Sequence, residues 1–255
     1  MLINVRALSK AYQTRSGVQI QALSDIDLAV EQGEFICVVG PSGCGKSTLL
    51  KVLAGLLDFS SGQALLNGRP ITGPRRDVGV VFQEARLLPW MTVMDNVLVP
   101  ARVQKLPPEA SRQRATAFLA LAGLADFAAR YPSELSGGMQ QRVAICRALV
   151  HDPAILLMDE PFGALDAMTR EAMNLELLRI WSASEKTVLF ITHSIPEAVF
   201  LADRVIVMTP RPGRIQRRIE IDLPRPRTLQ TMASPHFAAL TGELRAVFDA
   251  RGAFH

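Results

Sequence analysis

Short apolar runs open the chain. Residues 1 to about 35 read as strands broken by a polar turn near Gln13 to Gly17. No helical stretch separates these strands, so antiparallel pairing is expected. Phe35-Ile-Cys-Val-Val39 is apolar throughout, the mark of a buried strand, and Thr48-Leu-Leu-Lys-Val-Leu53 starts a helix that ends near Gly55. Gly62 to Gly68 reads as a short strand and turn, and Val78 to Phe82 as a second buried strand. From about Arg86 to Leu149 the rhythm becomes helical. Val93 to Val103, Ala110 to Leu124 and Met139 to Leu149 are predicted helices with Pro and Gly breaks between them. This region reads as a helical subdomain inserted into an α/β core. The alternation of strand and helix then returns. Ile155 to Met158, Thr187 to Ile191 and Arg204 to Met208 are predicted strands; Thr169 to Trp181 and Glu197 to Ala202 are predicted helices. Such punctuation implies a parallel sheet.

Composition changes this picture little. At 255 residues with 49% apolar content the chain can bury a large core. No run of eighteen apolar residues occurs, so no membrane span is expected. Met1 to Leu8 reads as a strand rather than a signal peptide, and the expected compartment is the cytoplasm. The net charge of +4 does not point to nucleic acid. Late basic residues (Arg211, Arg214, Arg217, Arg218, Arg225 and Arg227) read as the solvated face of a C-terminal appendage, with anionic lipid headgroups as the alternative. Cys37, Cys44 and Cys146 form neither a disulfide framework nor a zinc site. Cys37 and Cys146 read as buried filler, whereas Cys44 is the expected reactive thiol, because backbone N–H groups, a lysine and a helix N-terminus all favour a thiolate there.

Chemistry enters with Gly40-Pro-Ser-Gly-Cys-Gly-Lys-Ser47, which matches G-x-x-x-x-G-K-[ST] between a predicted strand and a predicted helix. Gly40, Gly43 and Gly45 let the backbone bend so that N–H groups converge on phosphate oxygens, and the helix N-terminus adds positive potential. Pro41, Ser42, Cys44 and Thr48 complete the expected nucleotide contacts. Lys46 reaches the β- and γ-phosphates, and the Ser47 hydroxyl can ligate Mg²⁺. Ile155-Leu-Leu-Met-Asp-Glu160 ends an apolar strand in two acids. Asp159 is the expected Mg²⁺ holder and Glu160 the expected general base for an attacking water. Leu135-Ser-Gly-Gly-Met-Gln-Gln-Arg142 sets Ser136 and two glycines at a helix start, a second anion-binding type of feature. One nucleotide hardly needs two such sites from one chain, which suggests sites shared between two molecules.

In this order the motifs resemble the ATP-binding cassette ATPases of membrane transporters, from about residue 2 to about residue 220. The resemblance implies a P-loop NTPase core with an N-terminal antiparallel β subdomain and an inserted helical subdomain over about 86–149, followed by a short extension over 221–255. It also implies roles. Gln83 matches the glutamine-loop residue, which senses Mg²⁺ and water. Ser136, Gly137, Gly138 and Gln140 match the signature that meets the partner's ATP. Asp166, in Ala164-Leu-Asp166, matches the loop that crosses the dimer interface. His193 matches the switch histidine at the γ-phosphate, and Tyr12 the aromatic that stacks on adenine. Leu87 to Val97, Ser194 to Arg204 and Met208 to Ile215 look like the nitrate, sulfonate and taurine importers. The implied assembly is a homodimer using ATP and Mg²⁺, bound to transmembrane permease subunits on the cytoplasmic face and served indirectly by a solute-binding protein. Trp90, after the glutamine loop, would face the permease or else pack the helical subdomain.

Two rivals fit less well. Chromosome-maintenance and DNA-repair cassettes insert a long coiled coil between phosphate loop and signature, and here that segment is short without sustained heptads. A regulatory module that binds ATP without turnover would not need Glu160 and His193.

Overall fold

The computed structural model describes residues 1–14, 17–163, 165–184 and 186–249. Arg15 and Ser16 of the expected polar turn, Ala164 of the dimer loop and the end of the C-terminal extension lie outside the described residues. Two compact units form, one from Met1–Arg75 together with the chain from Thr187 onward, the other from Arg76–Lys186. The first unit opens with β1 (Ile3–Gln13), β2 (Gln19–Val30), β3 (Phe35–Val39), α1 (Lys46–Leu53), β4 (Ser61–Leu66) and β5 (Arg69–Pro70). The second unit holds β6 (Val78–Val81), α2 (Val93–Val103), α3 (Pro108–Leu121), α4 (Gly137–Leu149), β7 (Ile155–Asp159) and α5 (Ala167–Ser184). The chain returns to the first unit with β8 (Thr187–Ile191), α6 (Ile195–Leu201), β9 (Arg204–Met208), β10 (Ile215–Glu220), α7 (Leu229–Met232) and α8 (Pro235–Asp249).

The first unit carries two sheets. An antiparallel one runs in the order β2-β1-β4-β5, as strands joined without helices require. In the other, β3 lies between β8 and β9, parallel to both, with Ile36 opposite Leu189 and Arg204. Every residue of β3 and of β8 is buried; β3, with a parallel neighbour on each side and covered faces, meets no water. Helix α6 packs on β3, and α8 packs on α6, where Phe237, Leu240, Leu244 and Phe248 are buried. In the second unit β6 and β7 pair in parallel, with Val81 opposite Met158, and α2, α3 and α4 pack on one another.

Predicted and observed elements agree closely along the core. β5, β10, α7 and α8 had no counterpart in the pattern. β10 is an edge strand of alternating but charge-rich sequence, antiparallel to β9. α8 falls in the stretch expected as a bare extension, though its apolar spacing is helical. The basic run also needs correction. Arg211, Arg214, Arg217 and Arg218 are exposed as expected, but Arg225 and Arg227 are not a solvated face. Arg225 binds Asp203 through Nε at 3.0 Å and Nη2 at 2.7 Å. Arg227 is 5% exposed and donates to the carbonyls of Val199, Phe200 and Ala202 at 3.3, 3.0 and 2.7 Å, and to those of Ile221 and Leu223. It satisfies the carbonyls that the end of α6 leaves open. Burial pushes its guanidinium pKa down to about 10, so it remains charged at neutral pH.

Arg227→Met keeps the length of the side chain and removes the donors. Several buried carbonyls then lose their partner, and stability is expected to fall by about 3 kcal/mol. Urea unfolding of the two proteins measures it; an unchanged midpoint would mean that water replaces the guanidinium.

Candidate functional site

The phosphate loop sits where β3 gives way to α1. Gly43 and Gly45 take φ of 74° and 104°, values that a side chain would resist, and Gly45 is the N-cap of α1. A Cβ at Gly45 would also lie 2.7 Å from Leu23 Cδ2 and 2.9 Å from the Ala22 carbonyl oxygen. The loop therefore turns tightly and aims the first N–H groups of α1 back across itself. Lys46 is 5% exposed, and its Nζ donates to the carbonyls of Gly40 at 2.8 Å and Pro41 at 3.2 Å. This holds an ammonium group over the mouth of the loop.

Tyr12 comes to the same place from β1. Its hydroxyl is 3.3 Å from Thr48 Oγ1, Lys10 Nζ lies 5.3 Å from its ring centroid, and the residue is 39% exposed. His193 follows β8, whose end runs beside that of β3: Val38 pairs with Ile191, and Thr192 N donates to the Val38 carbonyl at 3.2 Å. The loop that bears His193 is fixed by its neighbours. The Thr192 hydroxyl donates to the buried Glu197 carboxylate, Ser194 N donates to Thr192 Oγ1 at 2.9 Å, and Ser194 Oγ caps α6. His193 itself is exposed.

The second unit brings the remaining candidates to two places. β6 and β7 end side by side, so Gln83, Asp159 and Glu160 emerge together. A Cβ at Gly163 would lie 3.6 Å from Gln83 Nε2 and 3.8 Å from Glu160 Cβ. Glu160 has a φ of 44°, unusual for a side-chain-bearing residue, and Gly163 N closes the turn onto the Glu160 carbonyl at 3.1 Å. That conformation swings the Glu160 side chain out of the alternation of β7. Asp166 is exposed and caps the start of α5, accepting from Thr169 N at 3.0 Å and the Thr169 hydroxyl at 2.6 Å. The Thr169 hydroxyl and N–H hold its carboxyl below the usual carboxylate range. At the other place Ser136 caps α4, accepting from Met139 N at 3.3 Å, and a Cβ on Gly137 would meet nothing within 4 Å. Gln140 donates to the Pro132 carbonyl at 3.0 Å and steadies the approach to that helix.

Several side chains that sequence pattern passes over hold these pieces. Gln141 is buried and donates to the Phe82 carbonyl at 3.0 Å, one residue before Gln83. Arg147 donates to the carbonyls of Ala85 at 2.6 Å and Arg86 at 2.9 Å. Asn96 is fully buried. It accepts from Leu88 N at 2.7 Å and donates to the carbonyls of Leu88, Met91 and Thr92 at 3.1, 3.1 and 3.0 Å. The turn held in this way presents Trp90, 70% exposed, so Trp90 does not pack the helical subdomain. The one signal available was polarity at core positions: Asn96 and Gln141 lie on apolar helix faces, where an amide must find a partner.

The sequence profile described as "ABC transporter" matches residues 23–163. A taurine import ATP-binding protein of Rhizobium johnstonii is 46% identical over 252 residues, 96% of each chain. An aliphatic sulfonates import ATP-binding protein of Bacillus licheniformis is 44% identical over 254 residues, 100% of this chain and 97% of the other. Among solved structures, a bacterial ABC transporter cassette described as dimeric superposes with a TM-score of 0.76 at 34% identity, over 86% of this chain and 99% of that one.

The expected reactivity of Cys44 does not agree with its place. Cys44 is 1% exposed, and all three cysteines are buried. A Cβ on Gly40 would lie 2.8 Å from its Sγ, which is turned into the fold while the backbone lines the loop. Burial also pushes the Cys37 thiol well up and that of Cys146 to about 12. Native protein is therefore expected to resist maleimide at all three positions and to label fully only in denaturant. Fast native labelling at Cys44, read by mass-spectrometric mapping, would contradict the buried placement.

Proposed function

The chain belongs to the ABC transporter family, and we propose that it is the ATP-hydrolysing, energy-coupling subunit of an importer, working as a homodimer on membrane-embedded permease subunits. The observation that carries the reading is the phosphate loop: a tight glycine turn at the N-terminus of α1 with a buried lysine folded across it. Backbone N–H groups and one ammonium in a concave turn make a polyphosphate site. The relatives named for taurine and aliphatic sulfonates favour a small sulfonate as the solute over nitrate.

Each candidate residue has a task in this reading. Gly40 to Thr48 receive the phosphates, and Tyr12 offers its ring to the base. Ser47, Gln83 and Asp159 offer oxygen ligands only, the donor set that Mg²⁺ takes, and the ion, when bound, neutralises charge on the phosphates. Glu160, swung out of its strand, accepts the proton of the water that attacks the γ-phosphorus; the bond from phosphorus to the bridging oxygen breaks, and ADP leaves with that oxygen. His193 and Gln83 orient the γ-phosphate and the water. Ser136, Gly137, Gly138 and Gln140 serve the nucleotide of the second copy, and Asp166 stands at the junction between copies. The open space at Gly137 and the exposed Ser136 cap support that role. The subunit is peripheral on the cytoplasmic face, held there by the permease, with a solute-binding protein as an indirect partner.

Glu160→Gln tests the ATPase assignment. The amide keeps the shape and cannot take the proton, so turnover is expected to drop by about a hundredfold or more with MgATP binding retained. ATP should then hold the variant as a dimer in light scattering. A variant that hydrolyses normally and stays monomeric would refute the base.

Trp90→Ala tests the partner. The exposed indole would act as an anchor, so co-purification with the permease is expected to weaken by about thirtyfold while ATP binding by the isolated subunit is unchanged. Undiminished assembly would remove Trp90 from the contact.

A further inference from the structure

The turn from β9 to β10 takes no part in the reading above. Its sequence is Thr209-Pro-Arg-Pro-Gly-Arg214, and it is closed on itself. Thr209 N donates to the Arg214 carbonyl at 2.9 Å, Arg214 N donates to Thr209 Oγ1 at 3.0 Å, and the Thr209 hydroxyl donates to the Pro212 carbonyl at 3.1 Å. It is also tied to β2. Gly213 N donates to the Ala22 carbonyl at 2.9 Å, and Ser24 N donates to the Gly213 carbonyl at 3.0 Å. Arg214 Nη1 lies 3.6 Å from the Asp25 carboxylate. A turn secured at both ends and at its middle is a fixed object.

One face of that object bears on the phosphate loop. A Cβ added to Gly213 would sit 2.0 Å from the Cys44 carbonyl oxygen, so only glycine allows the approach. Arg211 Nη2 donates to the Gly43 carbonyl at 3.4 Å. These two carbonyls are consecutive in the loop. In a trans peptide the C=O and N–H vectors point to opposite sides. Whatever holds the carbonyls of Gly43 and Cys44 therefore aims the N–H groups of Cys44 and Gly45 the other way. Cys44 N does face away: it points across the loop to the Pro41 carbonyl, at a long 3.3 Å. That inner side is where N–H groups must converge to cradle an anion.

We infer that the 209–214 turn braces the phosphate loop from behind, and that Arg211 is a positioning residue for nucleotide phosphates. Arg211 acts through the Gly43 carbonyl and does not touch the reacting atoms. Because it sits on the loop's outer side, it sets the loop's affinity rather than the rate of the chemical step. The inference rests on the reading of the loop as the ATP site.

Arg211→Ala and Arg211→Lys, compared with the unaltered chain in MgATP and MgADP binding and in steady-state hydrolysis, decide it. The alanine variant is expected to bind both nucleotides about five- to tenfold more weakly, with KM raised in step and kcat at saturating ATP within about twofold. Lysine, still a donor that can reach the carbonyl, should recover most of the loss. The ratio of affinities should survive added salt, since a hydrogen bond that sets a peptide plane is not a screened long-range field. Three results overturn the inference: an alanine variant that binds like the unaltered chain, a loss confined to kcat, or a ratio that vanishes at high salt. Failure of the unaltered chain to bind MgATP would instead bring down the nucleotide reading, and the inference with it.

Discussion

An amide that turns its N–H toward an anion turns its carbonyl away, and that carbonyl has to be satisfied elsewhere. This constraint governs the phosphate loop more than any side chain that faces a ligand. Arg211 takes the carbonyl of Gly43 and Gly213 lies against that of Cys44, while Lys46 holds the carbonyls of Gly40 and Pro41 at the mouth of the loop. The loop is short of partners within itself because its glycines abandon regular hydrogen bonding in order to bend. Strands β3 and β9 supply the rigid ends from which these partners reach in, and the burial of all of β3 and of Val205 to Met208 in β9 keeps those ends fixed.

The same solution recurs wherever the chain leaves regular structure. Asn96 holds the Leu88-to-Thr92 turn by four hydrogen bonds, so a loop that exposes a tryptophan still has a defined shape. Arg227 closes the end of α6 against the segment after β10. Arg170 Nη2 donates to the Leu165 carbonyl at 2.9 Å, beside Asp166. Each is a polar side chain at low exposure whose donors match carbonyls with no ladder to join. Burying such groups is tolerable because most of their polar atoms find a partner, though Arg170 Nε finds none among the described residues, and removing one side chain can leave several acceptors dry at once.

Strands and helices were legible because burial marks the sequence, as an unbroken apolar run in β3 and β8 and as a period where only one face is covered. The phosphate loop was legible because phosphate binding needs glycine, lysine and a hydroxyl at fixed spacing. The braces were not legible. Gln141 and Phe82 are 59 residues apart in sequence, Arg211 and Gly43 168, and a backbone acceptor leaves no trace in the residue that carries it. Arg225 and Arg227 looked like solvent residues because composition counts their charge and cannot count the carbonyls around them. Cys44 misled for a related reason. Motif position fixes where its backbone runs, while its Sγ turns toward Gly40, where a Cβ would lie 2.8 Å from it, and is buried. The last helix carries helical apolar spacing, but it lies in 221–255, beyond the stretch over which the motifs resemble the family.

Helix α4 shows what such bracing does mechanically. Its 13 residues make a rod of about 20 Å. Ser136 caps the exposed end. One turn in, Gln141 holds Phe82; near the far end, Arg147 holds Ala85 and Arg86. The segment around Gln83 is thus bolted to the helix at two points, and the turn that presents Trp90 follows directly. In the proposed cycle the cap of α4 meets the nucleotide of the second copy and Trp90 meets the permease. A rigid helix fastened to the intervening segment cannot be displaced at its cap without dragging that segment. Coupling between hydrolysis and transport would then need no hinge along this path, only the hydrogen bonds of Gln141 and Arg147, whose side chains carry no chemistry of their own.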